Sequence, residues 1–422
     1  MSTSQERWKK NIFLYNIDLS VHGFDGAKGV AMGDDTVRYV GSWIGRQRRL
    51  FPHVAEEIDP LTAKLEQLIV ILDTLGLEAY VAAPHRGPGR PPEDRPAIAR
   101  AFVGKAVLNI PTTVALIERL QTDRSFRRIC GWERRDQLPS EAKFSRVFRE
   151  FADQALPERV HEQLIRHGLR EHLLGHLARD ATEIEAREKP PRRPPDEPPP
   201  ATPKPRRGRP RKSETPSPKL PSRLERQRTQ SIAEMRAELP TACDIGLKRN
   251  AKGFTSSWIG YKLHLDVCEA GIPVAAILTS ASTHDSQVAI PLARTSQQRL
   301  TWCYDIMDAA YDAQTIVEDA LAQGRIPVID INPRADKDRK AEIVAERARR
   351  ALVNIPDRDD ELYKIRTVAE RANARLKDEF GAKNLRVRGH AKAFCHLMFG
   401  VAALAADALV RLFNSRPCPL LA

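Results

Sequence analysis

A chain of 422 residues with 41% hydrophobic and 29% charged residues can build two or three packed domains, which excludes a fully disordered or fibrous protein. Its formal net charge of +13 favours polyanionic partners, nucleic acid foremost, bound in a salt-sensitive way through counterion release. Six cysteines scattered at 130, 243, 268, 303, 395 and 418 include no C-x-x-C pair, so neither a disulfide framework nor a zinc site is expected and a reducing cytoplasm fits.

In chain order, the N-terminal "MSTSQERWKKNIFLYNIDL" is charged and lacks the apolar core of an export signal. Residues 1–88 contain one clear helix, in "DPLTAKLEQLIVILDTLGLEAYV", where Leu65, Leu68, Ile69 and Leu72 follow helical spacing and Asp59 offers an N-cap. No function is assigned to that region. After "HRGPGRPPEDRP", residues 89–172 read as a small basic helical domain suited to DNA binding. Its clearest helix is "SEAKFSRVFREFA": Ser140 can cap it, Phe144, Val147, Phe148 and Phe151 make the apolar stripe, and Lys143, Arg146 and Arg149 face outward.

Residues 188–250 are rich in proline and basic residues and poor in apolar ones, so they are expected to be a disordered insert. Within them "RRGRPRK" reads two ways. Arg207 and Arg209, flanking Gly208, can lie in a narrow A·T minor groove as an AT-hook does, or the stretch is a basic spacer. Before the insert, "LARDATEIEAR" has extended character. After it, "IGYKLHLDV" alternates Tyr261, Leu263, Leu265 and Val267 with Lys262, His264 and Asp266, the pattern of a half-buried strand. "GIPVAAILTSAS" follows a turn at Gly271 as its hairpin partner, and "TWCYDIMDAAYD" and "RIPVIDIN" supply two strands separated by a helix. The order describes a mixed α/β sheet domain over 173–412, interrupted by the insert. The apolar run "FCHLMFGVAALAADALVRLF" contains His396 and Asp407 and is expected to be a buried helix, not a membrane span.

One stretch, "YKIRTVAERANARLK", places Tyr363, Arg366, Glu370 and Lys377 within roughly 60° on a helical wheel. Such a stripe is either a solvated salt-bridging face or a functional one. Phosphodiester chemistry with two divalent cations needs carboxylate oxygens. Candidates are Asp180 in "ARDATEIEA", Asp308 in "DIMDAAYDA", followed by the small Ala309 and Ala310, and Glu370.

The spacing Y-x2-R-x3-E-x6-K resembles the signature of DDE transposases of bacterial insertion sequences, in particular the insertion sequence 4 class. "ARDATEIEAREK" looks like the first-aspartate strand of that family, and "DAAYDA" like its D-x-[GA]-[YF] segment. "GYKLHLDV", "ASTHDSQ" and "RVRGHAKAFCHL" resemble flanking blocks, and "GRPPEDRPAIARAF" and "LPSEAKFSRVF" the preceding helical domain. The resemblance spans roughly residues 88–412. It implies a ribonuclease-H-like catalytic domain in which Asp180, Asp308 and Glu370 hold two Mg2+ ions, with Mn2+ able to substitute. It further implies that water cuts at the transposon end, after which the freed 3′-hydroxyl attacks target DNA. Tyr363, Arg366, Lys377, Arg386 and Arg388 would contact phosphates, and double-stranded DNA and a synaptic homodimer are the implied partners, at the bacterial nucleoid in the cytoplasm. A catalytically silent DNA-binding relic of a transposase is the competing reading, and a site-independent nuclease of the same fold a third.

Neighbouring polar residues have simpler roles to fill. Alternation puts Glu183 and Glu185 on the strand face opposite Asp180, and Asp305 off-phase with Asp308. Asp312 and Asp285 are expected to be helix caps, with Asp285 and His284 also able to orient DNA. His396 reads as a packed core histidine. The insert leaves Asp244 in "TACDIG" as an alternative to Asp180 as first ligand, with Asp180 preferred for its strand-like context.

Overall fold

The computed structural model describes residues 61–81, 94–169, 173–191, 221–249, 254–330 and 364–414, with a few positions between 332 and 345. All belong to the second of two units into which the chain divides, Gln47–Ala422. Tyr363, Arg207, Arg209 and Asp59 lie outside the described residues.

The first helix, α1 (Ala63–Leu75), is capped by Thr62 and not by the expected Asp59: the Thr62 hydroxyl accepts from the Leu65 amide at 3.3 Å. Its buried stripe is Leu65, Leu68, Ile71, Leu72 and Leu75, and Ile69 is only half-buried. Helix α2 (Arg95–Val107) is buried almost all round, so it is the centre of the helical layer. It is followed by α3 (Thr113–Thr122), α4 (Arg124–Cys130), α5 (Glu141–Asp153) and α6 (Leu156–Leu169), of which α4 and α5 pack on it. Phe144, Val147, Phe148 and Phe151 are all buried, as the periodicity of α5 required, and each such burial stabilises by roughly 1.5–3 kcal/mol. Ser140 occupies the N-cap position of α5, but its side chain makes no capping bond.

The sheet is mixed. Its central strand β1 (Leu173–Glu185) lies next to β3 (Thr255–Cys268) and β5 (Thr301–Met307), antiparallel to the former and parallel to the latter. Beyond them, β4 (Pro273–Ser280) pairs antiparallel with β3, β2 (Asp244–Arg249) takes the N-terminal half of β3, and β6 (Ile326–Ile329) runs parallel to β5. Gly271 makes the β3–β4 turn at φ +76°, a left-handed conformation that glycine adopts without strain.

Two expectations are corrected here. β3 is not half-buried: His264 and Asp266 are fully buried together with Leu263, Leu265 and Val267, because helices cover both faces of the sheet. Residues 221–249 of the expected disordered insert are folded as α7 (Arg223–Gln227), α8 (Ile232–Ala237) and β2. Ser222–Glu225 and Ser231–Glu234 form capping boxes, and Met235, Leu239 and Cys243 supply enough buried apolar surface to dock the segment.

Helix α9 (Ser286–Gln297) reaches Asp266 through Ser296 Oγ at 2.6 Å. Asp266 precedes Val267 on the strand face opposite Leu265, so α9 covers the face that Asp180, paired with Leu265, does not occupy. α10 (Gln314–Ala322) lies between β5 and β6 in the chain. α11 (Thr367–Asp378) packs on β1 and β3, and the long α12 (His390–Asn414) packs on α1, α2, α5, α6 and β4. α12 is long and apolar enough to cross a membrane by composition, but it is buried inside the fold. Its Asp407 is satisfied by Gln67 Nε2 at 2.7 Å and Arg375 Nη2 at 2.8 Å. Gly400 lets α12 approach the end of α11: a Cβ there would sit 2.6 Å from the Phe380 carbonyl oxygen. One apolar core therefore runs from α1 through α12 into the sheet.

His161 ties α6 to β4. Its Nε2 bonds the Pro273 carbonyl at 2.8 Å while Arg299 Nη1 donates to Nδ1 at 3.1 Å, so a second ring proton would point at a guanidinium. Burial, with Arg299 beside it, holds this imidazole down to about 3. The unfolded chain thus binds more protons between about pH 3 and 6.5, and stability falls as pH is lowered through that window. Thermal melting from pH 7.5 to 5 is expected to show this decline, and His161→Gln to make it shallower, since His176, His264, His390 and His396 are lowered by burial too; an unchanged slope in that variant would remove His161 as a contributor.

Candidate active site

Strand register brings the first two carboxylates together. Ala178 on β1 lies opposite Ile306 on parallel β5, and two more residues along each chain bring Asp180 level with Asp308 on the same face. Asp308 directly follows β5, and its Oδ1 accepts from the Ala310 amide at 3.0 Å, capping a 3-10 turn over Ala309–Tyr311. Burial pushes the Asp180 carboxyl up to about 6, with the nearby Asp308 charge adding to it, against the opposing pull of the Ala181 amide, Arg366 and Asn373. Asp308 is likewise raised, chiefly by burial and then by Asp285, with Arg366 and His284 opposing.

α11 crosses this face. Asn373 Nδ2 donates to Asp180 Oδ2 at 3.0 Å, and one turn earlier Glu370 Oε1 accepts from Arg366 Nη2 at 2.6 Å. Arg366 is the N-cap of α11, and its positive field acts on Asp180 and Asp308 as well. Arg366 is thus a guanidinium whose charge bears on three carboxylates, Glu370, Asp180 and Asp308. No three His, Cys, Asp or Glu side chains among the described residues are arranged as a closed metal cluster. The donor set still suits a hard divalent cation: it is all carboxylate oxygen, two of its members are raised by burial in the way added positive charge relieves, and Arg366 supplies such charge there.

Other site residues are placed as follows. Lys377 Nζ lies 3.4 Å from Glu183 Oε1, an ion pair across α11 and β1, and Lys248 approaches the same carboxylate at 3.8 Å. Arg386 and Arg388 are exposed on the segment entering α12. Asp285 stands at the N-cap position of α9 but makes no side-chain cap; its carboxylate turns to Lys262 Nζ at 3.0 Å, where a full charge is a stronger partner than a backbone amide. Asp312 is no helix cap either: it accepts from the Asn332 amide at 2.9 Å, while Ala313 precedes α10. Asp305 is buried on the other face with Trp302 and Arg325, and His396 is packed with Nε2 on the Gly381 carbonyl at 3.2 Å. Asp244 opens β2 opposite Gly260, five residues along β3 from the partner of Asp180. Asn373 was missed by sequence reasoning, although Glu-x-x-Asn spacing puts it one helical turn from Glu370.

The mixed sheet, covered by helices on both faces, thus carries Asp180 and Asp308 level on two adjacent strands beneath α11. Residues 174–406 match the family model described as Transposase DDE domain, and residues 53–150 match that described as Transposase domain (DUF772). The chain belongs to the DDE transposase family and is a transposase. No curated protein and no solved structure matches it. Enzymes of this family act on DNA and generally use a divalent metal.

Proposed function

We propose that this transposase serves a bacterial insertion sequence of the insertion sequence 4 class, binding terminal inverted repeats and catalysing strand cleavage and strand transfer. The observation that carries the reading is the β1–β5 register, which sets Asp180 level with Asp308 on the face crossed by α11 and Glu370. The strand order β2-β3-β1-β5-β6, with β4 also paired to β3, supports a ribonuclease-H-like domain. In this reading Asp180, Asp308 and Glu370 hold two Mg2+ ions. When bound, such a pair activates the attacking oxygen and stabilises the leaving one. Arg366 then exchanges its carboxylate partners for a DNA phosphate, a charge-assisted contact it is shaped to make. Tyr363, Lys377, Arg386 and Arg388 hold further phosphates, residues 89–172 contribute end binding, and Arg207 and Arg209 enter an A·T minor groove. A homodimer synapses two ends in the bacterial cytoplasm.

The test is cleavage of a supercoiled plasmid bearing the element's ends, with Mg2+, by the wild-type protein and by Glu370→Gln. Cleavage at the ends that the wild type performs, a chelator stops and the variant lacks supports the reading. End binding without cleavage in both proteins would replace it with a DNA-binding relic, and cleavage indifferent to the ends with a general nuclease.

A further inference from the structure

The buried face of α11 is apolar except at one position. Val368, Ala369, Ala372 and Leu376 are buried there, and Asn373, only 5% exposed, sits among them. An amide in such a place costs on the order of 1–3 kcal/mol unless its groups are bonded. Only half of this one is: Nδ2 donates to Asp180 Oδ2 at 3.0 Å, while Oδ1 is buried with no hydrogen-bond partner. The orientation is forced, because only the NH2 end of an amide can face a carboxylate.

Two consequences follow from that bond. It fixes the Asp180 carboxylate through Oδ2, leaving Oδ1 as the oxygen not held by α11. It also locks α11 against β1 three residues from Glu370, which sets how far the two carboxylates stand apart. We propose that Asn373 is a positioning residue of the cleavage site: it aims Asp180 and registers Glu370 against it. Its unpartnered carbonyl oxygen accepts the hydrogen bond of the water or hydroxyl that enters beside Asp180. The proposal rests on the reading of Asp180 as a metal ligand. A leucine would fill the same volume and pack better with Leu376, yet it would release Asp180 and remove the acceptor. Aspartate would keep the acceptor and set an anion against Asp180.

The experiment measures Mn2+ binding by calorimetry to the full chain without DNA, beside thermal melting and end-DNA affinity, for wild type, Asn373→Leu, Asn373→Gln and Asp180→Asn. Loss of a hydrogen-bond partner that orients a ligand typically weakens metal binding about 10–100-fold, and that is the expected result for Asn373→Leu. Its melting temperature and end affinity are expected to match wild type, and Asn373→Gln to recover most of the loss, which a packing role would not produce. Wild-type Mn2+ affinity in Asn373→Leu, with weakened binding in Asp180→Asn, would overturn the proposal alone. Wild-type affinity in Asp180→Asn would remove Asp180 from the metal site and the proposal with it. Asn373→Ala, which only deletes atoms, replaces the leucine variant if the latter does not fold, with the same expected and overturning results.

Discussion

Asp308→Asn is expected to lower cleavage at the element's ends by roughly 10³-fold, the factor that corresponds to the several kcal/mol of transition-state stabilisation a bound metal supplies. The substitution isolates charge from structure. Asp308 Oδ1 accepts from the Ala310 amide at 3.0 Å, and an asparagine carbonyl oxygen can accept that same bond, so the turn after β5 should survive. Asp308 also stands in the field of Asp285, so removing its charge relieves repulsion in the folded protein. Binding to end DNA, measured by electrophoretic mobility shift, is therefore expected to persist while single-turnover cleavage disappears. Full cleavage by the variant would exclude Asp308 from the triad.

The second large effect lies on the opposite face of β1. Arg179 is 2% exposed and donates to Asp266 from Nε at 2.8 Å and from Nη2 at 3.0 Å, with Asp305 at 3.6 Å. Arg325 continues the chain, 2.6 Å from Asp305. Burial disfavours the charge of Arg179, but Asp266 and Asp305 more than offset this and hold the guanidinium above its ordinary value. Arg179→Met would leave two buried carboxylates short of a partner, which typically costs about 3–5 kcal/mol. A urea unfolding curve is the measurement, with a loss below about 1 kcal/mol counting against a buried, mutually dependent network. Arg134→Ala is the control. Its pair with Asp136 is 72% and 67% exposed at the two side chains, and such pairs contribute little. Because Arg179 precedes Asp180, the network also anchors the strand that presents the first candidate ligand.

Much of this was readable along the chain, since the readable features are local. The stripe of α5, the β3–β4 hairpin around Gly271, the strands about Asp180 and Asp308, and the Tyr363-Arg366-Glu370-Lys377 spacing each depend on periodicity within a few residues. Those same residues were enough to suggest the transposase family. Where local rules were asked about partners, they went astray. Asp285 and Asp312 have good capping chemistry, yet Lys262 and the Asn332 amide claimed them. Residues 221–249 look too polar to fold alone, and they do so here only against a surface made by other segments. His264 and Asp266 alternate as a solvent face would, but two helical layers bury them with charged partners at hand.

By itself, the sequence determined most helices and strands outside residues 221–249, the basic character and the carboxylate inventory of this protein. The pairing of Ala178 with Ile306, the buried Arg179 network and the Asn373–Asp180 bond were decided only by tertiary structure. The reason is separation: Asn373 and Asp180 stand 193 residues apart, and nothing in a local pattern says which strand will lie beneath which helix. That choice is made by the shared core, in which α12 joins the helical layer to the sheet.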